Sequence, residues 1–234
     1  KVMPAVHDLG YSPNFGARAL AARRTNTIGA IIPTMENAIF ARGLQALQEE
    51  LRLHGFTMLV ASSAYQPKLE EEQIRSLVAR GADALLLIGT HRAPEIYQFL
   101  EAQDVPVLVT WAYDPSSPQS CIGFDNKIAM QNMAAKVIDM GHRRLAFISA
   151  HIASNDRAAS RRDGILTAMK EAGLDPDDLT VVETTYGIEE GAIAFERVMA
   201  SDTHPTAVFC GNDVLAVGAL RRAKQILRRP VLND

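Results

Sequence analysis

Short apolar runs alternate with amphipathic segments along most of the chain, and this alternation narrows the fold more than any single motif. The runs are 27–33 (TIGAIIP), 57–62 (TMLVAS), 84–89 (ALLLIG), 106–111 (PVLVTW), 145–150 (LAFISA), 179–185 (LTVVETT) and 206–211 (TAVFCG). Most are continuous rather than alternating, as strands covered on both faces require. Helical patterns lie between and after them, near 39–54, 67–80, 94–103, 126–140, 156–172, 189–200 and 212–227. In the first of these, Phe40, Leu44, Leu47 and Leu51 recur at helical spacing. Gly55, Gly81, Gly141 and Gly173 stand where a left-handed residue ends a helix. Strand and helix in repeated succession predict an α/β fold with parallel sheet and right-handed crossovers.

The rhythm breaks once. Residues 112–121 (AYDPSSPQSC) read as a loop and 122–125 (IGFD) as a very short strand. Four units precede the break and three follow it, which predicts two α/β subdomains, 27–126 and 127–234. Residues 1–26 form a separate arm. Its segment 14–24 (NFGARALAARR) is rich in Ala and Arg and helix-capable, but so short a helix needs a partner to be stable.

Charge sets the arm apart. The 234 residues carry a net charge of −3, but residues 1–26 hold Lys1, Arg18, Arg23 and Arg24 against Asp8 alone. A basic arm on an acidic body points to a tail that meets a polyanion. No apolar run is long enough to span a bilayer. Cys121 and Cys210, far apart and in or beside apolar runs, are expected to be buried reduced thiols in a cytoplasmic protein. No metal site is expected, since the two Cys and six His lack ligand spacing.

Several chemistries have no signature here. The turn after the first run reads PTMENAIF, with no glycine-rich phosphate cradle, and neither a P-loop nor a G-x-S-x-G elbow occurs. The reading is therefore a binding protein, with no cofactor and no catalytic residues. In parallel sheets, ligands gather at the carboxyl ends of strands. Those ends carry Asn37, Phe40, Tyr65, His91, Trp111, Asp125, Arg161, Asn212 and Asp213. Aromatic faces suit the C–H patches of a sugar, and Asp, Asn and Arg suit its hydroxyls or carboxylate. Each also has a plainer reading: Trp111 as a core or interface ring, Tyr65 and His91 as solvated loop residues, Asp213 as a helix cap. The run Asp156, Arg157, Arg161, Arg162, Asp163 reads as a solvated cluster at a helix start, except Arg161, where Gly164 permits close helix packing.

The stretch 11–33, YSPNFGARALAARRTNTIGAIIP, resembles the lactose/purine repressor (LacI) family. The resemblance continues through MGHRRLAFIS (140–149), Arg161-x-x-Gly164 and CGNDVLAVGAL (210–220), with weaker similarity to gluconate-type regulators at 90–92 and 111–114. It implies a type I periplasmic-binding-protein architecture with an effector held between subdomains. It implies that Asn14, Arg18, Leu20, Arg23 and Arg24 belong to a hinge helix in the DNA minor groove, Leu20 being the wedge between base pairs. It further implies that Arg161, the Asn212–Asp213 pair, and Asp125 with Asn126 face the effector. Asn37 and Phe40 fit the family's loop after the first strand, although Ala38 replaces its proline.

The resemblance implies that most of the family's helix-turn-helix is missing, only its last helix falling at about 1–10, and that the core is incomplete where the chain reads ILRRPVLND, as in a fragment or a truncated product. The expectation is a cytoplasmic, DNA-binding transcriptional regulator of the repressor type. Its partners are operator DNA, a sugar or sugar-acid effector, and a second copy in a homodimer or tetramer. A periplasmic sugar-binding protein and an α/β enzyme are the alternatives. The first would need a signal peptide and a transporter-docking surface; the second would need turnover.

Overall fold

The structure is a computed structural model in which residues 24–200 and 203–227 are described. Asn14, Arg18, Leu20 and Arg23 lie outside the described residues. Among the described residues, eight strands and seven α-helices follow one another much as the alternation predicts. The first half holds β1 (Thr27–Ile32), α1 (Ala38–Leu53), β2 (Thr57–Ser62), α2 (Pro67–Ala79), β3 (Ala84–Ile88), α3 (Pro94–Ala102) and β4 (Val107–Thr110). The second holds β5 (Ser120–Ile122), α4 (Asn126–Asp139), β6 (Leu145–Ser149), α5 (Asp156–Glu171), β7 (Thr180–Glu183), α6 (Ile188–Val198), β8 (Ala207–Cys210) and α7 (Asp213–Leu227). The short strand starts two residues before the IGFD run. Gly55, Gly81, Gly141 and Gly173 all have positive φ just past helix ends.

Two compact units divide the chain. One runs to Ile88 and includes Arg92–Val109; the other comprises Gly89–His91 and the residues from Thr110 onward. The division between the units falls between Val109 and Thr110, before the loop at 111–125. The loop is bound to the second unit: the Asn126 side chain donates to the Trp111 carbonyl at 3.1 Å, and Trp111 N–H donates to the Ile122 carbonyl at 3.1 Å.

In the first unit the strands lie in the order β2-β1-β3-β4. β1 is parallel to both neighbours, with Thr27 opposite Thr57 and Ile28 opposite Ala84. Ile31, Leu85 and Leu87 pack with Ile74 and Leu77 of α2 and Ile96 and Leu100 of α3. In the second unit the order is β7-β6-β8, again parallel. Alternate residues of β6 serve opposite layers, as strand pleating requires. Leu145 and Phe147 pack with Met130, Ala134 and Ile138 of α4 and Ile165 and Met169 of α5. Ala146 and Ile148 pack with Ala194, Phe195 and Val198 of α6 and Leu215, Ala219 and Ala223 of α7. The continuous apolar reading is right for β1, β3 and β6, whereas β2 has no buried residue and β7 is largely exposed. Both terminate these strand orders.

Candidate effector site

Loops that leave the carboxyl ends of strands must start the next helix, and the polar residues there are first committed to capping. Asn37 Oδ1 accepts from Ile39 N–H at 3.1 Å and caps α1. Asp125 Oδ1 accepts from Lys127 and Ile128 N–H and caps α4. Asn155 Oδ1 accepts from Ala158 N–H and caps α5. At α7 the cap is Asn212, whose Oδ1 accepts from Leu215 N–H at 2.9 Å, while Asp213 is the first helical residue and is exposed. The cap thus falls on Asn212 and not, as the plainer sequence reading had it, on Asp213. Each cap satisfies a helix N–H that would otherwise be left over.

In the first unit, Asn37, Phe40 and Tyr65 follow β1 and β2. Phe40 is buried, and Tyr65 is half-buried with φ +58°. Arg24, the one described residue of the expected DNA set, is exposed. The second unit holds His91, Trp111, Asp125, Arg161, Asn212 and Asp213. His91 is exposed. Trp111 is half-buried at φ +60°, a conformation that costs a bulky side chain about 1–3 kcal/mol and persists only where surroundings impose it. The two hydrogen bonds to its backbone supply that constraint.

Charge is concentrated at the start of α5. The Asp156 carboxylate accepts from the Thr90 hydroxyl at 2.9 Å, from Thr90 N–H at 2.5 Å and from Arg157 at 2.8 Å. Burial alone would raise its pKa, but the Arg157 guanidinium and the Thr90 donors outweigh burial and hold it below the usual carboxylate value. Asp156 and Arg157 retain only 17% and 11% of side-chain exposure, so they are not the solvated pair expected from sequence; Arg162 and Asp163, half-exposed, are. Arg161, one turn beyond Arg157, donates to the Gly211 carbonyl at 2.7 Å. Burial lowers its pKa, with the Tyr186 phenol opposing and the Arg157 charge adding to the effect.

A cavity of about 250 Å³ in this unit is lined by Thr90, Tyr113, Asp125, Asn126, Asp156 and Arg157, among others. Asn126 is 5% exposed; its amide nitrogen donates to the Trp111 and Phe124 carbonyls, and its buried oxygen accepts from no group among the described residues. A buried acceptor in a polar cavity suits a donor such as a hydroxyl. Sequence reasoning missed the cavity's core, because Thr90 and Asp156 are far apart in sequence. Cys121 and Cys210 are free and half-buried rather than fully buried, and burial pushes the Cys210 thiol up to about 11. Among the described residues there is no cluster of three potential metal ligands and no helix long and apolar enough to cross a membrane.

Residues 25–228 match the family described as periplasmic binding proteins and sugar binding domain of LacI family. The chain belongs to this family. It is 32% identical over 232 residues to the HTH-type transcriptional regulator GntR of Pseudomonas aeruginosa, covering 99% of this chain and 66% of that protein. It is 30% identical to the HTH-type transcriptional repressor PurR of Vibrio vulnificus, covering 98% and 69%. Among solved structures, a LacI family transcriptional regulator from Silicibacter pomeroyi superposes with a TM-score of 0.77 at 28% identity, over 86% of this chain and 74% of that one. The chain spans about two thirds of the length of these regulators. Its α/β layering with two parallel sheets is that of LacI-type cores.

Proposed function

We propose that the chain is the core and hinge arm of a cytoplasmic DNA-binding transcriptional regulator, of the repressor type, that responds to a sugar or sugar acid. The observation that carries this reading is a cluster of buried charged groups at strand ends in a LacI-type core. Asp156, Arg157 and Arg161 offer both acceptors and fixed cations, and Asn126 adds an acceptor awaiting a donor. Hydroxyls and a carboxylate on one small molecule match that set. Tyr113 lines the cavity and supplies aromatic surface there, and Trp111 is assigned to the effector with it. Asn37, Phe40, Tyr65, His91, Asp125, Asn212 and Asp213 remain assigned to the effector. The capping role of Asn37 and Asn212 leaves their amide nitrogens to donate.

Asn14, Arg18, Leu20, Arg23 and Arg24 are assigned to DNA. An apolar wedge at Leu20 would unstack a base step, and the arginines would meet phosphate or a narrow groove. A single wedge is half of a symmetric kink, so the protein acts as at least a dimer. Binding of effector shifts a conformational equilibrium by its differential affinity for the two states, and through it DNA affinity. The test is calorimetry of the intact protein against gluconate, other sugar acids, neutral sugars and sugar phosphates, with operator binding followed in parallel. One responsive compound that changes DNA affinity supports the reading. A sugar that binds tightly with no DNA binding at all favours a transport-type binding protein.

A further inference from the structure

Residues 25 and 26, just before β1, are held by the Asp83 side chain, by the Thr25 hydroxyl and by backbone hydrogen bonds. Asp83, in the turn before β3, accepts from two successive backbone groups, Thr25 N–H at 3.2 Å and Asn26 N–H at 2.7 Å, one on each carboxylate oxygen. The Thr25 hydroxyl donates to the Gly81 carbonyl at 2.5 Å and accepts from Thr27 N–H. Asn26 takes φ +51°, and its carbonyl accepts from Thr57 N–H at 2.8 Å. Gly81 has φ +84°, and a methyl group there would meet the Thr25 side chain. Entry to β1 is therefore locked to the turns before β2 and β3 rather than left to swing. Beside the lock lies a hollow of about 640 Å³ bordered by Arg24, Phe56, Asp83 and Pro106, among others.

We propose that Asp83, with Thr25, is a positioning residue for DNA recognition. It sets the direction in which the arm leaves the core, and it touches no DNA itself. This rests on the reading of residues 14–24 as a DNA-binding arm. Phosphate attraction tolerates a swinging arm, whereas a wedge must arrive at one base step from one direction. Loss of the lock thus weakens specific binding far more than non-specific binding.

The test uses the intact genome-encoded protein and two duplexes, one selected from a random pool by the unsubstituted protein and a scrambled control. Asp83→Asn keeps the side-chain volume but replaces one acceptor with a donor; Thr25→Val removes the hydroxyl and keeps the shape. Each variant is expected to lose roughly tenfold on the selected duplex, the cost of freeing about one residue's backbone. Binding of the scrambled duplex stays nearly unchanged, and trypsin cuts after Arg24 faster than in the parent. Equal losses on both duplexes with a lowered Tm would mean a purely structural role and would overturn the proposal. So would unchanged affinity in both variants while Leu20→Ala weakens the selected duplex. If Leu20→Ala also has no effect, the arm reading itself fails and the proposal falls with it.

Discussion

Two side chains of α5 carry the clearest residue-scale consequences. The Asp156 carboxylate is held below its ordinary pKa, so the folded state binds its proton less readily than the unfolded chain. Its contribution to stability is complete above the unfolded carboxylate value, near pH 4, and is lost as pH falls through the lower folded value. Asp156→Asn should therefore flatten the acid side of the stability curve, measured by urea unfolding between about pH 5 and pH 2. An unchanged acid limb would show that the carboxylate is not held down. Arg161→Ala removes a cation that burial has already made costly. If it meets a sugar acid, affinity should fall by about 1.5–3 kcal/mol, or roughly ten- to a hundredfold, by calorimetry. The same loss on a neutral sugar would assign Arg161 to holding the Gly211 carbonyl instead. Sequence pattern placed Arg161 at the end of a strand–loop step but misjudged Asp156 and Arg157. Charges four residues or fewer apart on a helix start are usually solvated, and here the distant Gly89 and Thr90 pack against and hydrogen-bond this pair.

At the scale of elements, α4 and α5 approach so closely that Gly164 has no room for a side chain. A methyl group there would overlap the Lys127 carbonyl oxygen and lie 2.9 Å from Gln131 N, both backbone atoms that cannot turn aside. Gly164→Ala gains helix propensity of about 1 kcal/mol but forces the helices apart. The overpacking penalty, about 1–3 kcal/mol and more against backbone, should win. Thermal unfolding is expected to show a Tm lower by several degrees, while a rise would mean that the helices part freely. The R-x-x-G spacing already pointed to this contact. Helix and strand order was legible because the strand runs were continuous, the helical segments amphipathic, and four helices were followed by a glycine. Which strands would be edges was not read from the pattern, although TMLVAS and LTVVETT carry fewer apolar residues than ALLLIG and LAFISA. Edge position is decided by crossover order, which no local period encodes.

For the whole molecule, exposed apolar side chains on α6 and α7 bear on assembly. Ile188, Ile193, Val217 and Ile226 are each between 42% and 46% exposed there. Exposed apolar side chains on packed helices suit an interaction surface, and a second copy of the chain is the occupant the two-fold DNA reading needs. Val217→Arg in the intact protein should shift sedimentation toward monomer at micromolar concentration and weaken operator binding with it. A variant that remains dimeric would move the interface elsewhere. The rhythm of runs reads as two α/β units, and hydrogen bonds tie the 111–125 loop to the second unit. The central claim is that one small polar molecule bound by this core alters the affinity of its arm for DNA. It is tested most directly by titrating the intact protein onto its selected duplex with and without each sugar and sugar acid. At least one compound should change the dissociation constant by roughly five- to 150-fold, the usual span of such coupling. DNA affinity that stays constant across the whole panel, including compounds shown by calorimetry to bind, would contradict the account.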